Sequence, residues 1–94
     1  MRIKWTECAS RNLNHIRDYV AQDSPQAADK MVVKIIESVE QLLQFSNMGK
    51  AGRIMETREC VITGSPYIIV YTVIQNIIYI VRIFHGAPKW PENN

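Results

Sequence analysis

Ninety-four residues, 47% of them apolar, suffice for one hydrophobic core and are too few to divide into two, so residues 1–94 read as a single domain. That apolar share excludes a chain disordered over most of its length, and a net charge of +2 is too small for strong nonspecific nucleic-acid binding by electrostatics alone. The surplus is uneven: residues 1–49 carry six basic and six acidic side chains, and residues 50–94 carry five and three, which suits an acidic protein partner or a local phosphate contact. Gln75, Asn76 and Arg82 interrupt the longest apolar stretches, short of the ~20 residues a membrane span needs. The opening MRIKWTECAS has no apolar run of signal-peptide length, so a cytoplasmic protein is expected. Cys8 and Cys60 lie far apart without CxxC or histidine spacing and read as two free, half-buried thiols, with no metal or cofactor expected.

Arg2–Trp5 alternates polar and apolar and predicts a short first strand. Thr6 is a plausible N-cap for a helix from Glu7 to about Gln22, with Ala9, Leu13, Ile16 and Val20 inward and Arg11, Asn14, Arg17 and Asp18 outward. Asp23-Ser24-Pro25 ends that helix and starts a second. Ser24 can cap free N–H groups, and Pro25 fits the first helical position, where a missing N–H costs nothing. The second helix is expected to reach about Phe45, burying Ala28, Met31, Val32, Ile35, Val39, Leu42 and Leu43. So short a connection makes the two an antiparallel hairpin.

Ser46–Gly52 reads as a loop, and 54–62 as a weaker strand with Glu56, Arg58 and Cys60 on one face. Gly64-Ser65-Pro66 marks a turn. Two β-branched runs, Tyr67–Ile74 and Ile77–Phe84, joined only by Gln75 and Asn76, then predict a hairpin of two central strands. The order β-α-α-β-β-β implies an α+β fold of two layers, a helical pair on a small, mostly antiparallel sheet. Apolar residues on both faces of the hairpin imply that the tail or a partner chain partly covers the second face.

No phosphate-binding glycine loop, GxSxG, HExxH or paired-carboxylate motif is present. What remains is a scatter of polar residues in the second half, Lys50, Arg53, Arg58, Glu59, Arg82, His85 and Lys89. Arg82 is the most pointed, because it interrupts IIYIVRIF. It must snorkel, pair with Glu56 or Glu59, or face an open site. Arg58 is either a solvent-facing strand residue or part of a site. Arg53, beside Gly52, suits an anion and equally an ordinary surface. His85, just past the last strand, has the residue type of a proton shuttle, though a histidine at a strand end is more often structural. His15 reads as surface, and Tyr67, Tyr71 and Tyr79 as core or platform. Trp90, between Lys89 and Pro91, reads as an anchor of the tail on the sheet. Cleavage of RNA by attack of a 2′-hydroxyl needs a base, an acid and cations for the charge on phosphorus. Glu59 or Glu56, His85, and Arg53 with Arg58 or Arg82 could fill those roles if they converge.

The chain resembles the RelE/ParE superfamily of toxins from type II toxin–antitoxin systems over nearly its whole length. The resemblance is carried by Gly49-Lys50-Ala51-Gly52-Arg53, Thr57-Arg58-Glu59, Pro66-Tyr67-Ile68-Ile69-Val70-Tyr71 and, most specifically, Arg82-Ile83-Phe84-His85-Gly86-Ala87-Pro88-Lys89-Trp90-Pro91. That last segment looks like the ParE-like branch. The resemblance implies a toxin neutralised by a cognate antitoxin that lays an acidic or amphipathic segment over helices and sheet, in a toxin–antitoxin hetero-oligomer. It implies one of two activities: ParE-like members poison DNA gyrase without a competent nuclease site, and RelE-like members cut mRNA on the ribosome. A homologue that only binds its antitoxin is a third outcome. Arg58 and Arg82 fall where RelE-like nucleases keep phosphate-binding arginines, and His85 falls near the C-terminal acid of some of them. Many such nucleases are richly basic around the site and carry a Tyr or His-Tyr ending. This chain carries only +2 and ends differently, which favours gyrase as target, with Arg53, Lys89 and Trp90 as binding residues.

Overall fold

The computed structural model describes residues 1–86. Strand β1 (Arg2–Trp5) leads into helices α1 (Glu7–Ala21) and α2 (Pro25–Gln41), followed by strands β2 (Lys50–Ala51), β3 (Arg58–Val61), β4 (Tyr67–Ile74) and β5 (Ile77–His85). The strands form one sheet in the order β1-β5-β4-β3-β2, with β1 parallel to β5 and every other pair antiparallel. Both helices pack on one face, so the expected two-layer α+β fold is what the chain adopts, its β-α-α-β-β-β order joined by one further short strand, β2.

The caps are local and legible. The Thr6 hydroxyl accepts from the Ala9 N–H at 3.1 Å, and the Ser24 hydroxyl accepts from the Ala27 N–H at 3.1 Å with Pro25 at the first helical position. Each satisfies a donor that the first helical turn leaves free. Between β4 and β5, Gln75 and Asn76 both take positive φ (50° and 67°), the two-residue turn whose twist matches the strands it joins.

The core lies between the layers. Ala9 and Ile16 of α1, Ile35 and Val39 of α2 with the following Leu42, and Ile62, Ile69, Tyr71, Ile78 and Ile80 on the sheet side are all buried. Burying each large aliphatic side chain is worth roughly 1.5–3 kcal/mol, so this seam sets which sheet face the helices choose.

The last strand runs through His85, expected just past its end, because His85 still pairs with Tyr67. Three other boundaries differ from the sequence expectations. Helix α2 stops at Gln41, because the next amides bond three residues back: Leu42 N to Val39 O, Leu43 N to Glu40 O and Gln44 N to Gln41 O. That tightening keeps Leu42 inside and leaves Leu43 and Phe45 exposed. Lys50 and Ala51, expected in a loop, pair with Glu59 and Arg58 as the short edge strand β2. The strand expected over 54–62 shrinks to Arg58–Val61, because Thr57 folds back on the Ile54 carbonyl through both its N–H (3.1 Å) and its hydroxyl (2.6 Å). Glu56 sits in that turn at φ 67° and so leaves the face it was expected to share with Arg58 and Cys60.

One irregularity decides where the polar residues of β5 point. Val70 faces Arg82 while Tyr71 faces Ile80, so Val81 is an extra residue in β5. Ile78 and Ile80 face the helices, and strict alternation would send Arg82 the same way. The bulge turns Arg82 and Phe84 outward and returns Ile83 to the core. Helix α1 supports the bulge from its first turns: the Thr6 hydroxyl lies 2.9 Å from both the Ile80 and Val81 carbonyls, and the Asn12 side-chain oxygen accepts from Ile83 N at 3.0 Å.

Candidate functional site

On the outer face, the register sets Glu59 beside Val70 and Val70 beside Arg82, with Ile68 beside Phe84. Both Arg53 and Arg82 lie over the Phe84 ring, at 5.1 Å and 4.5 Å from its centroid, within cation–π range. Glu59 Oε2 accepts from the Arg53 backbone N–H at 3.2 Å and ion-pairs with its Nε at 3.4 Å, while the Arg53 side chain stays 73% exposed. Val70 forms a buried floor to a small cleft under these groups. Glu59 therefore pairs with Arg53, and among the described residues Arg82 makes no ion pair. The second face of the hairpin is covered in part by these guanidinium stems and by Gly86, where any Cβ would collide with Ile68.

Arg58 lies on the opposite face, beside Tyr71. Its Nη1 donates to the Gly49 carbonyl at 2.7 Å, and the Tyr71 hydroxyl accepts from Gly49 N–H at 2.9 Å while donating to Ser46 O at 2.8 Å. The two side chains hold the loop after α2 against the sheet. Burial raises the Tyr71 hydroxyl above its ordinary pKa, partly offset by the Gly49 N–H, and burial raises the Cys60 thiol likewise. Of the two cysteines, Cys8 is exposed and Cys60 is buried.

His85 also points toward the helical layer, its ring edge-on to Tyr67 at 5.5 Å, in an open groove with His15, Asp18 and Tyr19 of α1. Burial raises the Tyr67 pKa, with Tyr19 adding to the shift. The sequence-predicted groups thus divide three ways. Arg53, Glu59 and Arg82 come together outside, Arg58 is committed to the Gly49 loop, and His85 faces α1. Glu56 lies in the 53–57 turn, its carbonyl accepting from the Thr72 hydroxyl at 2.8 Å. Lys89 and Trp90 lie outside the described residues. Among the described residues no group of three or more His, Cys, Asp or Glu side chains can hold a metal, and no helix is long and apolar enough to cross a membrane.

Sequence reasoning missed Phe84 as the ring beneath both arginines, although its place two residues past Arg82 on one strand was a signal. It also missed Tyr71 as the loop's anchor, which no local pattern reveals.

The profile of the ParE toxin of type II toxin-antitoxin system, parDE, matches residues 3–90. Y4kP of Sinorhizobium fredii (strain NBRC 101917 / NGR234) is 37% identical over 91 residues, covering 97% of this chain and 94% of that protein. Toxin RelE2 of Caulobacter vibrioides is 35% identical over 86 residues, covering 92% and 96%. A solved structure described as the chromosomal ParDE TA system from P. aeruginosa superposes with a TM-score of 0.86 at 31% identity, over 93% of this chain and 97% of that one. A match of this length in sequence, joined to the same two-layer architecture, means that the chain belongs to the ParE toxin family of type II toxin–antitoxin systems.

Proposed function

We propose that this toxin acts by binding DNA gyrase directly, without catalysis of its own, and that a cognate antitoxin neutralises it in a cytoplasmic hetero-oligomer. The observation that carries the reading is the separation of the groups phosphoryl chemistry would need. A general acid and base must both reach the reacting oxygens, within about 3 Å or through one water. Here Arg82 and Glu59 are outside, Arg58 donates to the Gly49 carbonyl, and His85 packs edge-on to Tyr67 on the other face. The ParE family match and the likeness to a ParDE system support the antitoxin as partner.

The test is gyrase supercoiling by the purified, antitoxin-free chain with cleavage products followed. Loss of supercoiling with trapped linear DNA is the expected result. Unaffected gyrase, with folded and toxic protein, refutes it.

A second reading, ribosome-dependent cleavage of mRNA, is favoured by one observation: Arg53, Glu59, Arg82 and Phe84 share an open patch with cations, a carboxylate and a ring. Under that reading Arg82→Ala abolishes mRNA cleavage and leaves antitoxin binding. A chain that arrests no growth when induced alone would instead have antitoxin binding as its whole function.

A further inference from the structure

On the gyrase reading above, we infer that the outer sheet face around Arg82, Phe84 and the 53–57 turn is the surface that engages the target, and that its occupant is an acidic, apolar-anchored segment of a folded protein. Charge complementarity is the first argument. Over Phe84 the cluster holds two guanidiniums and one carboxylate, Glu59, which is spent on Arg53 with its side chain only 15% exposed; the turn adds the exposed carboxylate of Glu56, and the exposed Lys50 stands opposite Glu59 in the β2–β3 register. Among the described residues no carboxylate pairs with Arg82. A guanidinium held over a ring by cation–π attraction still carries N–H donors that can meet a carboxylate in bidentate fashion.

The second argument is apolar. Ile54 is 60% exposed and Met55 86% exposed, side by side at the tip of the turn next to Arg53. The turn is pinned at three points: Gly52 N–H to Thr57 O at 2.8 Å, Thr57 to Ile54 O, and the Thr72 hydroxyl to Glu56 O at 2.8 Å. Glu56 is held there at φ 67°, a conformation that costs free energy for a residue with a side chain. Two exposed apolar side chains on a fixed turn are pre-organised for a protein contact, because little further ordering is needed on binding. A nucleic-acid backbone fits less well. Its affinity rests on several phosphate contacts, and this patch offers the Arg82 guanidinium and the Lys50 ammonium beside two carboxylates, Glu56 and Glu59, and two exposed apolar residues.

The experiment measures binding of the chain to purified DNA gyrase without DNA, then supercoiling inhibition, for the wild type, Arg82→Glu, Met55→Asp and Lys30→Glu. Lys30 is exposed on α2, in the helical layer, and serves as the control. We expect Arg82→Glu and Met55→Asp each to weaken gyrase binding and inhibition at least tenfold, with circular dichroism unchanged and Lys30→Glu equal to wild type. Because Met55 is so exposed, its variant keeps the test decisive should Arg82→Glu disturb packing on Phe84. Wild-type potency in both variants overturns the surface and leaves the gyrase reading intact. A wild type inert on gyrase overturns the reading, and the surface as its contact. Wild-type binding to plasmid alone that is lost in Arg82→Glu makes the face a nucleic-acid surface and overturns the acidic protein segment.

Discussion

Replacing Thr6 by Val removes a hydroxyl and keeps the shape of the side chain. That hydroxyl caps α1 by accepting from Ala9 N–H at 3.1 Å and lies 2.9 Å from the carbonyls of Ile80 and Val81 at the β5 bulge. Loss of a Ser or Thr cap costs about 1 kcal/mol. A neutral, partly buried hydrogen bond is worth about 0.5–1.5 kcal/mol net, and the two carbonyls share one donor, so the bulge contact is counted once. The sum is about 2 kcal/mol. In urea, where a small domain loses about 1–3 kcal/mol per molar denaturant, that lowers the unfolding midpoint by about 1 M at unchanged slope. Thr6→Ser keeps the hydroxyl and should recover most of the difference. The bulge also turns Arg82 outward, so on the gyrase reading Thr6→Val should weaken inhibition per folded molecule, measured well below the midpoint, more than a cap lost elsewhere. The matching control is Ser24→Ala, which uncaps α2 and touches no strand. A stability loss no larger than that of Ser24→Ala, about 1 kcal/mol for a cap alone, would refute the claim that α1 supports the bulge.

Arg58→Met keeps the aliphatic stem and loses the bond to Gly49 O, so urea unfolding should show a loss of about 1.5–3 kcal/mol, while gyrase inhibition per folded molecule persists. Inhibition lost without destabilisation would make Arg58 a contact residue. Gly49→Ala should destabilise by about 1–3 kcal/mol in the same assay, because a Cβ there would lie 2.8 Å from Glu59 O and 2.9 Å from the Tyr71 ring. Stability should also fall at alkaline pH. Cys60 and Tyr71 have folded-state pKa values raised above their ordinary 9.0 and 10.0, so the unfolded chain releases those protons first. Their contribution is complete below the ordinary values and is lost as pH rises through the raised folded-state ones, which unfolding midpoints followed into the alkaline range would register. Cys60→Ala should delay the onset of that loss, and a profile identical to wild type would remove Cys60 from the account.

How much of this was legible divides along the range of the forces involved. Thr6, Ser24 and Pro25 act within one turn of a helix, so the starts of α1 and α2 follow from neighbouring residues. The end of α2 does not, because Leu43 and Phe45 continue a helical pattern that the tightened last turn leaves exposed. The 54–57 turn and β2 were hidden for a similar reason: apolar alternation continued through Ile54, while the Thr57 contacts with Ile54 and Gly52 took the backbone out of the strand. The candidate residues were legible as residue types near strand ends, but their grouping was not.

By itself the sequence determined the element order apart from β2, the caps, the β4–β5 hairpin, the two-layer architecture and the toxin family, because periodicity, turn chemistry and motif order all act along the chain. Only the tertiary structure decided which polar residues meet. Cross-strand register set Glu59 and Arg82 on one face and Arg58 on the other. The extra residue Val81, held by Thr6 from 75 positions away, reversed the parity of β5 and turned Arg82 out of the core. A period of two fixes a strand's faces only up to such a shift, and the shift is stabilised by contacts no local pattern contains.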